Sequence, residues 1–174
     1  MTQQAVITEN SQHKARGGKY LTFCLAREDY GLEILKVREI IGMQDLTAVP
    51  RTASYVKGVM NLRGKVIPVI DLRMKLGMVA AETTRLTAII VAQVDQAEVG
   101  LIVDKVSEVL DVDAKDIEDA PAVGDVDASL ILGLGKTERG VTILLEIDKV
   151  LSGSAMVTDA ESLEDDSAPD LESE

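Results

Sequence analysis

Aromatic side chains are almost missing from this chain: Tyr20, Phe23, Tyr30 and Tyr55 are all there are among 174 residues. A core must therefore be built from Val, Ile and Leu, whose branched or bulky side chains favour strands. The scarcity also argues against a single-stranded nucleic-acid groove, which stacks bases on aromatics along a basic track. Positive charge is short as well. Against 30 Asp and Glu stand 18 Lys and Arg, for a net charge of -12, so the electrostatic footprint for nucleic acid or anionic lipid is missing. Most of that excess is local, carried by Asp159, Glu161, Glu164, Asp165, Asp166, Asp170, Glu172 and Glu174, and the part before them is only mildly acidic.

Cysteine and histidine occur once each, as Cys24 and His13. One cysteine excludes an internal disulfide and a thiolate zinc cluster. The single histidine sits in a polar arm that cannot hold it as a general base, which removes the usual Ser/His and Cys/His nucleophile systems. Gly133-Leu134-Gly135-Lys136-Thr137 ends like a phosphate loop, but the glycine that GxxxxGK[ST] needs is Leu130. It reads instead as a glycine-rich turn between strands. Asp111-Val112-Asp113 and Asp125-Val126-Asp127 open like calcium loops but lack the sixth-place glycine and twelfth-place glutamate. No cofactor, no metal and no catalysis are expected. No apolar run approaches the roughly 18 to 20 residues of a membrane helix, and the first residues carry no apolar stretch of a secretory signal. Cytoplasmic residence follows as the expectation.

What is present is a succession of short β-branched runs. Residues 1 to 18 read as a flexible arm, 19 to 152 as the folded domain and 153 to 174 as a disordered acidic tail, dispensable for binding. Leu21, Phe23 and Leu25 alternate with Tyr20, Thr22 and Cys24, the period of a half-buried strand, and Tyr30 to Ile34 returns beside it after Arg27-Glu28-Asp29. At Ile34-Leu35 the alternation changes phase, which predicts a bulge or bend and leaves Val37 partly exposed beside Glu39. Gly42 to Ala53 is a loop, and Ser54 to Lys57 a short helical turn. Leu86 to Val94 and Val99 to Val106 form a hairpin around Asp95 to Glu98. Asp111 to Asp127 is irregular, Leu130 to Leu134 and Val141 to Ile147 are the last strands, and Asp148 caps a brief helix. Short strands without long alternating helices predict an all-β barrel architecture.

The stretch of most interest runs from Tyr55 to Leu76. Val56 to Met60 and Val66 to Ile70 flank Asn61-Leu62-Arg63-Gly64, the local signature of a β-hairpin with Arg63 at its tip. A guanidinium there offers five donors in a planar fork, suited to a carboxylate or carbonyl on another molecule. Pro68 lacks an N–H and belongs at an edge or bulge of the returning strand. Asp71 is a helix N-cap and Gly77 a terminator, with one or two turns between them.

Gly58, Asn61, Arg63-Gly64, Pro68 and Asp71-Leu72-Arg73, with Tyr30 to Ile40 upstream, resemble the CheW family of chemotaxis coupling proteins. The similarity continues through Val99 to Leu110 and Leu132 to Leu151, so it spans almost everything but the ends. One departure is Ala53, where many members carry a second proline. The resemblance implies two SH3-like β-barrel lobes packed on a shared hydrophobic core, each of about 60 to 70 residues, a size marginal for burial alone. It also implies a non-enzymatic adaptor that joins the cytoplasmic tip of a chemoreceptor to the regulatory domain of a CheA-type histidine kinase. The receptor-binding residues it implies are Val37, Glu39, Ile40, Gly58, Val59, Asn61 and Arg63. The kinase-facing surface is left near Leu35 to Arg38 without particular residues. A coupling module of a related array that governs surface motility or gene expression stays open, and so does a small-barrel nucleic-acid-binding protein.

Overall fold

The structure is a computed structural model and describes residues 17–121 and 127–152. The expected arm and acidic tail lie outside the described residues, except that Gly18 already opens the first strand. Strands β1 (Gly18–Leu25) and β2 (Glu28–Glu33) form a hairpin, and a 3-10 turn (Ile34–Lys36) leads into β3 (Val37–Gly42). After a loop come β4 (Val56–Leu62), β5 (Lys65–Asp71) and the short helix α1 (Leu72–Lys75). A second hairpin, β6 (Ala88–Val94) and β7 (Ala97–Val103), is followed by β8 (Lys105–Val112), β9 (Ile117–Glu118), β10 (Ile131–Thr137), β11 (Gly140–Leu145) and α2 (Ile147–Ser152).

These strands make two sheets, one of six strands in the order β8-β1-β2-β11-β10-β9 and one of five in the order β3-β6-β7-β5-β4. Met60, Ile67, Val69, Ile89 and Val91 fill the five-stranded lobe. Tyr20, Val112 and Leu144 fill the six-stranded one. Between the lobes lies the larger core, where Phe23, Leu25 and Leu32 of one sheet meet Ile70, Ile90 and Leu101 of the other. Each fully buried side chain of this kind contributes about 1.5–3 kcal/mol of transfer free energy. The shared core thus supplies burial that neither lobe could gather by itself.

Several local expectations are corrected. Strand β1 is covered on both faces, because Tyr20 and Thr22 are as deeply buried as Leu21 and Phe23. The bulge or bend expected at Ile34-Leu35 is there: a 3-10 turn bends the chain after β2, and the β3–β6 ladder slips between Val37 and Glu39. Ser54 and Tyr55 form a single hydrogen-bonded turn, closed by Val56 N–H on the Ala53 carbonyl at 3.0 Å, and Val56 already belongs to β4. Val106 belongs to β8, since the run from Val99 breaks at Asp104. The segment from Asp111 is less irregular than expected, holding the end of β8, a 3-10 turn (Ala114–Asp116) and β9. Asp148 lies inside the first turn of α2, and Glu146 is the residue whose carbonyl takes the first amides there. Gly133 to Thr137 is strand, not turn, and Gly135 is buried within it.

Pro68 sits one residue before β5 begins to pair with β7, which it does over Val69 to Asp71. Opposite it, Val59 turns its N–H and carbonyl away toward Thr47, at 2.9 Å each. The Val59–Pro68 position is therefore a non-hydrogen-bonded pair, and the missing N–H costs no ladder bond.

The two halves of the chain repeat one another in register. A constant shift carries the pairs Val37↔Ala92, Ile40↔Ile90 and Ile41↔Ile89 onto Val106↔Phe23, Val109↔Leu21 and Leu110↔Tyr20. Another carries the whole β4–β5 ladder onto β10–β11, including the slip before Gly58, which falls before Gly133. Each lobe nevertheless mixes the halves: β6–β7 joins β3 to β5, and β1–β2 joins β8 to β11. The chain crosses between lobes at Ile34–Lys36 and again at Asp104.

Candidate functional site

The hairpin tip is set by backbone conformation. Arg63 and Gly64 both have positive φ, 53° and 82°, as a two-residue type I′ turn requires, and Asn61 Oδ1 accepts the Gly64 N–H at 2.8 Å. An arginine in the left-handed region is uncommon, and this side-chain bond helps hold it there. The fork that was expected to reach outward is engaged within the chain. Arg63 Nη1 donates to Glu39 Oε2 at 2.8 Å and Nη2 to Oε1 at 2.6 Å. This bidentate pair joins the tip of β4–β5 to β3, strands at opposite ends of the five-stranded sheet. The arginine side chain is still 74% exposed and that of Glu39 23%.

Gly58 faces inward. A Cβ there would come within 2.3 Å of the Thr47 carbonyl oxygen, and its φ is +143°. The close backbone approach that this glycine permits is that of the 43–55 loop, whose Thr47 pairs with Val59 across the sheet edge. Gly58 thus builds the site from beneath. Val37 is half-buried against the shared core, Val59 is half-buried, and Asn61 is exposed. Ile40 is 45% exposed and Val66, which pairs with Asn61, is 64% exposed. Of the seven expected residues, then, Glu39, Ile40, Asn61 and Arg63 present side chains to solvent, while Gly58, Val59 and Val37 support them.

Two ion pairs that sequence reasoning missed fasten the inter-lobe crossings. Arg73 Nε donates to Asp104 Oδ1 at 2.7 Å and Oδ2 at 2.9 Å, and Nη2 makes a further short contact with Oδ2. Asp104 also accepts the Ala26 N–H at 2.8 Å, so one carboxylate holds α1 of one lobe and the β1–β2 turn of the other. The bond to Asp104 raises the Arg73 pKa above its ordinary value. At the other crossing Lys36 Nζ lies 2.7 Å from Asp148 Oδ2, and this bond likewise raises the lysine pKa. Burial, followed by the nearby charges of Asp148 and Glu33, pushes the Glu146 carboxyl up. The Asp71-Leu72-Arg73 run marked one partner in advance, but nothing local marked Asp104.

Cys24 donates to Asp29 Oδ1 at 3.2 Å, and burial, reinforced by that bond, raises its pKa, which keeps it a thiol. Among the described residues no group of three or more His, Cys, Asp or Glu is placed to hold a metal. Among them, too, no helix is long and apolar enough to cross a membrane.

A stiff hairpin clamped to the strand at the far end of its sheet, with exposed aliphatic side chains on the same strands, is the build of a protein-binding scaffold. The comparisons make this particular. A family model described as a CheW-like domain matches residues 19–155, and the chain belongs to that family. It is 40% identical over 141 residues to the chemotaxis protein CheW of Klebsiella aerogenes, covering 80% of this chain and 85% of the relative. To the chemotaxis protein CheW of Rhizobium meliloti it is 40% identical over 146 residues, 83% of this chain and 94% of that protein. Among solved structures it is similar to the scaffolding protein TtCheW from Thermoanaerobacter tengcongensis, with 34% identity and a TM-score of 0.74 over 81% of this chain and 98% of that one. The chain is a chemotaxis adaptor of the CheW type, with the two-lobed β fold expected of it.

Proposed function

We propose that this protein couples the cytoplasmic tip of transmembrane chemoreceptors to the regulatory domain of a CheA-type histidine kinase, residing in the cytoplasm and recruited to membrane-bound receptor arrays. The observation that carries the reading is the Glu39–Arg63 clamp, which holds an exposed hairpin tip in one orientation next to Ile40 on β3. A receptor helix with an apolar ridge would cover Ile40, and its polar side chains would meet Asn61 and the outward edge of Arg63. Because the clamp is formed beforehand, little ordering entropy is spent on binding. The kinase would take the region near Leu35 to Arg38, where Leu35 is 86% exposed on the inter-lobe crossing.

The adaptor transfers no phosphoryl group. It acts through differential affinity, shifting kinase activity only as far as it binds one signalling state of its partners better than the other. The test is kinase autophosphorylation in a mixture of receptor signalling fragment and CheA-type kinase, with and without this protein, alongside co-sedimentation of all three. One complex with receptor-dependent activity supports the reading. Failure to bind either partner removes it.

A further inference from the structure

The β4–β5 hairpin has two faces of different character. Met60 and Ile67 stand opposite one another and point into the five-stranded lobe. On the other face the cross-strand pairs are Val59↔Pro68 and Asn61↔Val66. By the alternation of an antiparallel ladder both are non-hydrogen-bonded positions, where facing side chains stand closest, so these residues form one continuous strip. Along β5 the same face runs from Ile70, sealed in the shared core, through half-buried Pro68 to Val66, which is 64% exposed. The apolar interior thus continues outward along the hairpin and ends in the open. We infer that Val66, with Pro68 beside it, is a specificity-determining contact for the receptor helix, whose apolar ridge lies along this strip. The inference rests on the reading of Val59 and Asn61 as receptor-binding residues, since each is the cross-strand neighbour of one of the two.

The strip can be met by side chains and not by an added strand. Val59 has committed its N–H and its carbonyl to Thr47 at 2.9 Å each, which closes the β4 edge, and Pro68 has no N–H to offer on the other side. A helix ridge is the occupant that this exclusion leaves. Laid on Pro68 and Val66, the ridge extends a packed core that already reaches Ile70. Asn61 spends its Oδ1 on the Gly64 N–H, so its amide donors are what it can offer to a polar group at the flank of the ridge. The strip holds no charged side chain. Its contribution is apolar burial, which salt does not screen, whereas that of Arg63 at the tip is electrostatic and salt-sensitive.

The probe is a soluble receptor signalling fragment titrated into the full chain by calorimetry, at several temperatures and at low and high salt. Val66→Ser should weaken binding about tenfold at either salt concentration, with a heat-capacity change less negative than that of the wild type. Val66→Ile should keep the affinity within about threefold. Val141→Ser, at a valine 55% exposed on β11 of the other lobe, should leave it unchanged. Val66 is exposed, so its variants are expected to fold, and a thermal melt on each checks this. Wild-type affinity in Val66→Ser, while Arg63→Ala binds more weakly, overturns the strip and leaves the coupling role standing. Equal weakening by Val66→Ser and Val141→Ser overturns it too, as does a Val66→Ser loss seen only with the kinase regulatory domain or only in self-association of the chain. A wild-type chain that binds no fragment overturns both the strip and the receptor reading.

Discussion

Replacing Gly58 by alanine should be among the most damaging single-methyl changes available in this protein. The added Cβ meets the Thr47 carbonyl oxygen at 2.3 Å, a backbone atom that cannot swing aside as a side chain would, and the residue holds φ at +143°. Strain in such a conformation costs about 1–3 kcal/mol. Pushing Thr47 away also breaks its two 2.9 Å bonds with Val59, each worth about 1 kcal/mol. The sum, about 3–5 kcal/mol, is a large part of the roughly 5–15 kcal/mol that holds a domain folded. Urea unfolding followed by circular dichroism should show the midpoint lowered by about 2 M at an unchanged slope of about 2 kcal/mol/M. Gly64→Ala is the control, for there φ is +82° and the added methyl meets nothing within 4 Å, so only about 1 kcal/mol of backbone strain applies. Equal midpoints for the two variants would refute the assignment of the larger loss to the Thr47 contact.

Three further outcomes are expected. Arg63→Ala should change stability by no more than about 1 kcal/mol, the pair being surface-exposed, while receptor-fragment affinity falls roughly thirtyfold, about 2 kcal/mol; unchanged affinity in calorimetry would leave the tip without a binding role. Arg73→Ala strands Asp104 with only the Ala26 amide among these partners and should cost about 2–3 kcal/mol in urea unfolding; a loss under 0.5 kcal/mol, within about the noise of a surface change, would show the crossing to be held by apolar packing. Glu146, with its pKa raised in the fold, binds its proton more tightly there than in the unfolded chain, so its contribution to stability falls as pH rises from the unfolded value through the folded one. Glu146→Gln should therefore raise the melting temperature at neutral pH and flatten its pH dependence over that acidic window, and a parallel pH profile would contradict the burial effect.

The hairpin at Arg63 and Gly64 was legible because its information is local: turn residues between two β-branched runs define both the register and the tip. The Asp71 cap was legible for the same reason, and its side chain does accept the Met74 amide at 3.3 Å. Local pattern failed where tertiary partners decide. Thr22 reads as the solvent face of β1, yet its hydroxyl donates to the Glu108 carbonyl at 2.6 Å and it is buried. Asp104 reads as one acid after a strand, because its partners Arg73 and Ala26 lie far away in sequence. The internal repeat was hidden by its own substitutions: Tyr20 stands where Ile89 stands, and Gly135 where Met60 does. Gly31 and Gly100 keep the match, each pressed by an aliphatic side chain at 2.9 Å from where a Cβ would be.

The exchange of hairpins between the lobes bears on how the protein is made. As the chain leaves the ribosome, β1–β2 appears first, but the strands it pairs with, β8 and β11, are translated last. The five-stranded lobe, lying wholly between the two crossings, has all of its strands as soon as β7 has emerged. It can close while β1–β2 still waits with Phe23 and Leu25 lacking the rest of their core. Sequence-distant pairing of this kind is slow and leaves an unpaired strand edge exposed meanwhile. A strand order of this kind predicts a stretch of synthesis, from β7 to the completion of β11, in which the chain is most prone to aggregate.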